Sequence, residues 1–213
     1  MHGGQLLEHD RQLDASSYFG PTSGFGRLFA ALPDAPRRVG VIGLGAGSIA
    51  AHARSGDVFR FYEINPQVVD LAYREFTFLS ATQARTEVVL GDGRLSMERE
   101  PPQHYDVIAV DAFSGDAIPM HLLTRESVAT YLRHLKPDGV LAFQATNRFV
   151  DIAPVVARLP AEHDMTAGMI PTAMSLSGDA AFRAPMGVVV IGGLVLSTAL
   201  TLLIVPAGFS LAD

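Results

Sequence analysis

Residues 39–48 read Val39-Gly40-Val41-Ile42-Gly43-Leu44-Gly45-Ala46-Gly47-Ser48, an apolar run that leads into glycines at alternate positions. This pattern predicts a buried β-strand that ends in a tight loop, where backbone N–H groups approach a nucleotide-like ligand with no Cβ in the way. A dinucleotide fingerprint would have its third glycine at position 48, where this chain has Ser48. The spacing of Gly43, Gly45 and Gly47 therefore favours an S-adenosylmethionine type of ligand over NAD.

A second strand is predicted over residues 58–64, which are rich in aromatic and branched side chains. It ends near Glu63, and Asn65-Pro66 is typical of a helix start directly afterwards. Glu63 is therefore expected at the carboxyl edge of the sheet, where it would accept hydrogen bonds from both ribose hydroxyls. The alternative is a solvated carboxylate at a strand end.

A third strand is predicted over residues 86–90, followed by the turn Gly91-Asp92-Gly93-Arg94. As the third loop on the same edge, this turn would place Asp92 at the adenine amine, with Gly93 allowing the ligand to come close. By itself, a Gly-Asp-Gly sequence is also an ordinary turn.

The fourth strand, residues 105–110, leads into a loop that carries two carboxylates, Asp111 and Asp116. Carboxylates beside the sulfonium of such a ligand can attract a cationic amine and take its proton as it attacks carbon. We therefore predict Asp111 and Asp116 as the catalytic pair. In the alternative interpretation, Asp111 caps a helix and Asp116 forms a turn.

The order of these elements predicts an α/β fold with a Rossmann-like, doubly wound parallel sheet. A helix over residues 125–135 is expected to end at the turn Lys136-Pro137-Asp138-Gly139, and residues 139–144 form a fifth strand. The antiparallel strands that often complete a sheet of this kind have no recognisable counterpart, so the fold is predicted to be truncated.

Residues 2–158 resemble the spermidine synthase-like (polyamine aminopropyltransferase) family, a branch of the class I S-adenosylmethionine-dependent methyltransferase fold. The motifs that carry this resemblance are His2-Gly3-Gly4-Gln5, Ser17-Tyr18-Phe19-Gly20-Pro21, Gly43-Leu44-Gly45-Ala46-Gly47, Tyr62-Glu63-Ile64-Asn65-Pro66, Gly91-Asp92-Gly93-Arg94 and residues 110–119. The resemblance implies aminopropyl transfer from decarboxylated S-adenosylmethionine to a polyamine such as putrescine, without a metal. It also implies that Gln5 and Tyr18 hold donor and amine, and it makes a homodimer a candidate assembly.

The chain departs from the family pattern at the loop after the fourth strand. Well-characterised members have Asp-x-x-Asp-Pro there, and the second acid acts as the base, whereas this chain has Ser114 at that position. Ser114 is accordingly assigned to substrate binding, and Asp116 becomes the substitute acid, with Glu8 and Asp10 as further alternatives. An N-terminal β-hairpin that normally covers the donor is also expected to be missing.

The composition excludes several classes of function. The net charge is −6 at pH 7, Lys136 is the single lysine and the arginines are scattered, so no basic cluster is available to neutralise the phosphates of a nucleic acid. The chain has no cysteine, which excludes disulfides, a thiol nucleophile and thiolate metal sites. Its seven histidines do not pair at ligand spacing, so no metal site is predicted.

The last part of the chain has a different composition. Residues 166–213 contain only three charged side chains, and residues 188–205 form an uninterrupted 18-residue run without charge. As a helix this run would be about 27 Å long, close to the thickness of the hydrocarbon core of a bilayer. It is predicted to span a membrane, and the alternative is a buried core helix.

Residues 167–174 and 182–206 also resemble the last transmembrane region of resistance-nodulation-division efflux transporters, with a fusion junction near residues 163–166. Four segments are predicted. Residues 1–36 are a remnant of the donor-covering segment, and residues 37–160 form the nucleoside-binding domain. Residues 161–185 are a junction, and residues 186–209 form the transmembrane helix. The protein is expected at a membrane with its catalytic domain in the cytoplasm, or otherwise in the cytoplasm. Two further functions remain open, a small-molecule methyltransferase that uses intact S-adenosylmethionine and a membrane-tethered relic or binding domain without turnover.

Overall fold

The computed structural model describes residues 4–113 and 118–144. These residues form a five-stranded, wholly parallel sheet with the strand order β3-β2-β1-β4-β5. The strands are β1 (Arg38–Ile42), β2 (Val58–Glu63), β3 (Arg85–Leu90), β4 (Tyr105–Val110) and β5 (Leu135–Phe143). The helices are α1 (Gly24–Ala31), α2 (Pro66–Glu75), α3 (Phe78–Ala81), α4 (Gly93–Arg99) and α5 (Arg125–His134), with short 3₁₀ turns at Ser17–Phe19, Ser48–His52 and Met120–Leu122.

The strand order confirms the predicted Rossmann-like, doubly wound architecture. Strand β1 lies at the centre of the sheet, and the chain proceeds outwards on one side through β2 and β3 and on the other through β4 and β5. In open parallel sheets of this kind, ligands bind beyond the carboxyl ends of the strands at the point where the strand order reverses. Here that point lies between β1 and β4.

Two apolar cores cover the two faces of the sheet. One contains Phe25, Phe29, Phe59 and Phe61 with residues of α3, and the other contains Ile42, Tyr62, Met97 and Tyr105 with residues of α5 and of the Met120–Leu122 turn. Strands β1 and β4 are buried along almost their whole length, as expected for central strands with a layer on each face.

The helix starts follow local capping rules. The side chain of Asn65 accepts a hydrogen bond from the N–H of Gln67, directly before Pro66 in the first turn of α2, which confirms the predicted start. Asp92 caps α4 in the same manner, and Thr124 caps α5. These capped starts fix where the loops at the carboxyl edge end.

One detail of the predicted fifth strand differs in the structure. Tyr105 of β4 is paired with Leu135, but Val107 is already paired with Val140, so β5 contains an irregularity around the expected turn at residues 136–139. Pairing therefore begins before the turn, and the turn interrupts β5 instead of preceding it. A turn motif alone does not show that residues on both sides of it belong to one ladder.

The predicted junction and transmembrane helix lie outside the described residues. Within residues 4–113 and 118–144, no helix has the length and apolar character needed to cross a membrane. The chain divides into two units, Met1–Ile170 and Pro171–Asp213, and every described residue belongs to the first. The predicted domain boundaries therefore stay predictions.

Candidate functional site

The glycine loop after β1 has the backbone conformation that its sequence predicts. Gly43, Gly45 and Gly47 all have positive φ angles, of 97°, 53° and 78°. Residues other than glycine rarely adopt such φ angles without strain. The loop can therefore turn sharply at the edge of the sheet, where the N–H of Gly43 donates to the carbonyl of Tyr62 and that of Gly47 to the carbonyl of Leu44, both at 2.9 Å.

Gly43 is also required because the backbone of the next strand lies against it. A Cβ atom at Gly43 would lie 2.5 Å from the carbonyl oxygen of Asp111, closer than real Cβ contacts. The N–H of Asp111 donates to the carbonyl of Ile42 at 2.9 Å, so the ends of β1 and β4 are held together there. The structure thus brings two predicted site residues, Gly43 and Asp111, into direct contact.

Glu63 lies at the end of β2 and is 8% exposed. Its Oε2 accepts a hydrogen bond from the N–H of Leu44 at 3.0 Å, and its Oε1 accepts one from the N–H of Asn65 at 2.9 Å. The carboxylate therefore joins the glycine loop to the start of α2. An ionised carboxylate has about four acceptor positions, so each oxygen retains one for a ligand hydroxyl.

Asp111 follows β4, and the hydroxyl of Tyr18 lies 3.5 Å from its Oδ2. Its Oδ1 is buried and has no hydrogen-bond partner among the described residues. Burial raises the pKa of the Asp111 carboxyl well above its usual range, and the hydrogen bond from Tyr18 acts in the opposite direction. The pKa of Tyr18 is raised too, first by burial and then by the neighbouring Asp111, so the phenol remains protonated and can donate.

Gln144 is a further candidate site residue, which the sequence analysis missed. Its N–H donates to the carbonyl of Val110 at 3.0 Å, which places it at the end of β5 beside Asp111 at the end of β4. The Gln144 side chain is 5% exposed, and its Nε2 has no partner within the described part of the chain. A buried amide without a partner is costly, and the sequence signal was a polar residue directly after an apolar strand.

Asp92 is the N-cap of α4, a structural role that the sequence analysis did not assign, since its alternative for the Gly-Asp-Gly sequence was an ordinary turn. Its Oδ1 accepts the N–H of Leu95 at 2.9 Å as the cap of α4, and its Oδ2 contacts Nε2 of His121 at 2.8 Å. Gly93 is tightly enclosed, because a Cβ there would lie 2.8 Å from the side chain of Ile42. This packing holds the first turn of α4 against the end of β1, at the edge where the other predicted residues lie.

The side chain of Gln5 forms its hydrogen bonds with other residues of the protein, although the sequence predicted that it contacts the substrate. Its amide oxygen accepts the N–H of Thr77 at 3.1 Å, and its amide nitrogen contacts the Thr77 hydroxyl and donates to the carbonyl of Gln12 at 2.9 Å. Gln5 therefore attaches the N-terminal segment to the region between α2 and α3. Its predicted contact with substrate stays a prediction.

Ser114 and Asp116 lie outside the described residues, so their predicted roles are not tested by the structure. Among the residues that are described, no group of three or more histidine and acidic side chains is arranged to hold a metal ion.

The comparisons with known proteins agree with this fold. The chain is 37% identical to a polyamine aminopropyltransferase of Vibrio vulnificus over 111 residues, which cover 50% of this chain and 36% of the relative. It is 36% identical to a polyamine aminopropyltransferase of Pyrobaculum calidifontis over 141 residues, which cover 61% of this chain and 46% of the relative. The chain thus spans less than half the length of both relatives.

The crystal structure of spermidine synthase from Thermotoga maritima matches with a TM-score of 0.50 and 22% identity, covering 60% of this chain and 45% of that chain. A spermidine synthase in complex with the transition state analogue AdoDATO matches with a TM-score of 0.50 and 23% identity, covering 60% of this chain and 46% of that chain. These two likenesses support the fold. A model described as the AcrB/AcrD/AcrF family matches residues 164–213, where the sequence predicted a transporter-like tail.

Proposed function

We propose that this chain, which carries a spermidine synthase-like domain of the class I methyltransferase fold, transfers an aminopropyl group from decarboxylated S-adenosylmethionine to a polyamine such as putrescine. The observation that carries the proposal is the position of Asp111. Its backbone carbonyl lies directly against Gly43 of the glycine loop, and the Tyr18 hydroxyl lies 3.5 Å from Oδ2 of its carboxylate. An acid is thus adjacent to the loop expected to hold the donor, at the point where the strand order reverses.

The residues at this edge fit a nucleoside donor. The glycine loop of Gly43, Gly45 and Gly47 would approach the donor with its backbone, and Glu63 would accept hydrogen bonds from the ribose hydroxyls. Each Glu63 oxygen already accepts one backbone N–H, so the carboxylate is fixed in place before a ligand arrives. A group held in this way loses little conformational entropy when the ribose binds. Asp92 would take the adenine amine, whereas the space beside Gly93 is filled by the side chains of Ile42 and Tyr62, so this glycine serves packing and not the approach of the base.

In the proposed reaction, the protonated amine of the polyamine first gives up a proton, and its neutral nitrogen then attacks the aminopropyl carbon that is bonded to the sulfonium sulfur. The C–N bond forms as the C–S bond breaks, methylthioadenosine leaves with the electron pair of that bond, and the new secondary amine carries the positive charge. Asp111 orients the amine, and either Asp111 or Asp116 accepts the proton. Because burial raises the pKa of the Asp111 carboxyl, its ionised form is a stronger base than a solvated aspartate.

The remaining polar groups would bind the amine substrate. Tyr18 and Ser114 are proposed to line the acceptor side together with Gln5, and Gln144 joins them because its buried Nε2 lies at the next strand end. A polyamine is cationic at neutral pH, and the carboxylates of this edge favour a cation. The net charge of −6 is consistent with such a substrate.

The test is an assay of the whole chain with decarboxylated S-adenosylmethionine and putrescine, in which methylthioadenosine and spermidine are quantified by mass spectrometry. Equal amounts of both products are expected, and the Asp111→Asn variant serves as the control for background transfer. If the protein binds methylthioadenosine but forms neither product from putrescine or longer polyamines, it is a binding domain without turnover and the proposal is wrong.

A methyltransferase that uses intact S-adenosylmethionine is the second candidate. It is favoured by one feature, Ser114, which replaces the acid that polyamine-transferring relatives of the family use as base. The glycine loop and Glu63 would serve either donor, so only the acceptor loop separates the two functions. Formation of S-adenosylhomocysteine with a small acceptor, without transfer of an aminopropyl group, would establish the methyltransferase instead.

We also propose that the C-terminal segment attaches the protein to a membrane, as a monomer or a homodimer. Two features support this proposal, the uncharged run at residues 188–205 and the AcrB/AcrD/AcrF match over residues 164–213. The full chain should sediment with membranes and resist alkaline extraction, whereas a chain that ends at Pro160 should not. Recovery of the full chain in the supernatant would contradict the anchor.

A further inference from the structure

We propose that His121 is a positioning residue for the nucleoside end of the site, which it serves by fixing the carboxylate of Asp92 as an acceptor for the 6-amino group of a purine. This inference rests on the function proposed above and deepens it. Nothing in the sequence patterns assigned a role to His121.

The contact joins two loops that are distant in the sequence. Nε2 of His121 lies 2.8 Å from Oδ2 of Asp92, while Oδ1 of Asp92 accepts the N–H of Leu95 at 2.9 Å. Asp92 follows β3, and His121 lies in the short turn Met120–Leu122 that follows β4. The pair therefore connects the loop that carries the nucleoside acid with the segment that carries the catalytic acid.

Both sides of this contact are held firmly. The residues around His121, namely Ile118, Leu122 and Leu123, are buried in the core beneath the sheet edge, and the hydroxyl of Tyr131 donates to the carbonyl of Leu122 at 3.2 Å. The His121 side chain itself is half exposed. Its orientation towards Asp92 is thus supported by a buried backbone, and the imidazole has no packing role in the core.

The hydrogen bonds that Asp92 already accepts determine which ligand group it can still bind. With one N–H on each oxygen, an ionised Asp92 has both oxygens oriented and still retains acceptor positions for a ligand. A carboxylate held by two donors rejects a further acceptor, so the site should prefer a 6-amino purine over a 6-oxo purine, whose oxygen would meet the carboxylate. His121 is thereby expected to affect nucleoside affinity and base selectivity without touching the ligand.

The test is calorimetric titration of the full chain with methylthioadenosine and with methylthioinosine. His121→Leu removes the donor and should weaken methylthioadenosine binding about tenfold. It should also reduce the ratio of the affinity for methylthioadenosine to that for methylthioinosine. His121→Gln places an N–H at a similar reach and should restore most of the affinity. The matched control is His104→Asn, at an exposed histidine before β4 with a φ angle of 54°, which asparagine tolerates.

A double-mutant cycle with Asp92→Asn makes the inference falsifiable even if single variants have general effects. Asparagine still caps a helix, so this variant is expected to fold. In the Asp92→Asn background, His121→Leu should have almost no further effect on affinity. If the two effects are additive, or if His121→Leu binds both nucleosides as the wild type does, the inference about His121 is overturned while the proposed function stands. If the wild type binds neither nucleoside, both are overturned.

Discussion

Gly43 and Asp111 are in backbone contact: a Cβ on Gly43 would lie 2.5 Å from the Asp111 carbonyl oxygen, and Gly43 has a φ angle of 97°. The contact places the first residue of the glycine loop beside the proposed catalytic acid. It also means that any side chain at position 43 must displace the end of β4. The geometry of the donor loop and that of the acid are therefore linked through this one glycine.

Gly43→Ala should destabilise the fold and impair nucleoside binding. The positive φ costs about 1–2 kcal/mol for a residue with a Cβ, and the clash with Asp111 adds to that cost. The free energy of unfolding, measured by urea denaturation, should fall by more than about 2 kcal/mol. The matched control is Gly56→Ala, where φ is 89° but a Cβ would lie no closer than 3.4 Å to Pro36. Equal losses in the two variants would contradict a close approach at Gly43.

Glu63→Gln should be costly although the two side chains have the same shape. Both carboxylate oxygens accept backbone N–H groups, from Leu44 and Asn65, and an amide can accept only on its oxygen. One N–H at this buried position would then face the amide NH₂, at a cost of about 1–3 kcal/mol. Thermal unfolding and calorimetry should show a lower melting temperature and weaker methylthioadenosine binding. The exposed Glu75→Gln is the control, and an unchanged melting temperature in Glu63→Gln would show that the two hydrogen bonds contribute nothing.

Asp111→Asn should lower the rate of aminopropyl transfer by a factor on the order of 10²–10⁴ while methylthioadenosine binding stays nearly intact. The variant keeps the shape of the side chain and removes its charge and its ability to accept a proton. Steady-state kcat and calorimetric affinity, measured on the same preparation, separate the two effects. Loss of nucleoside binding in this variant would assign Asp111 to the donor instead of the acceptor.

The same variant should change how stability depends on pH. Because burial raises the pKa of Asp111 in the folded protein above its ordinary value of 3.8, the folded state binds this proton more tightly than the unfolded state. The wild type therefore loses stability as the pH rises from about 4 through the raised pKa, and Asp111→Asn should lack this loss. Urea denaturation across this range should show the free energy of unfolding of the variant increasing relative to that of the wild type as the pH rises. A constant difference would show that Asp111 has an ordinary pKa, and the exposed Asp70→Asn is the control.

Tyr18→Phe should move the ascending limb of the pH profile of kcat/KM to higher pH. The Tyr18 hydroxyl donates to Oδ2 of Asp111 and holds the pKa of that carboxyl down against the effect of burial. Without the donor, a smaller fraction of Asp111 is ionised at a given pH, so the base becomes available later in the titration. Tyr73→Phe, at a half-exposed tyrosine on α2, should leave the profile unchanged. A uniform loss of rate at all pH values would assign Tyr18 to substrate binding alone.

Much of the fold could be predicted from the sequence because its signals are local. The apolar strand before Gly43, the glycines with positive φ and the Asn65-Pro66 helix start each depend on residues within a few positions of one another. The relation of these strands to one edge of the sheet follows from parallel pairing, so Gly43, Glu63 and Asp111 could be assigned to one site before any coordinates were known.

Only the tertiary structure decided which hydrogen-bond positions of those residues are already in use. Glu63 is held by Leu44, 19 residues earlier, Asp92 by His121, 29 residues later, and Gln144 reaches the site through its pairing with Val110. These contacts arise because the strand order β3-β2-β1-β4-β5 brings loops together that are far apart in the chain. Residue type and spacing determine which groups can ionise or donate. Burial and long-range partners determine the pKa values of these groups and how many hydrogen-bond positions remain for a ligand, because both depend on how the whole sheet is packed.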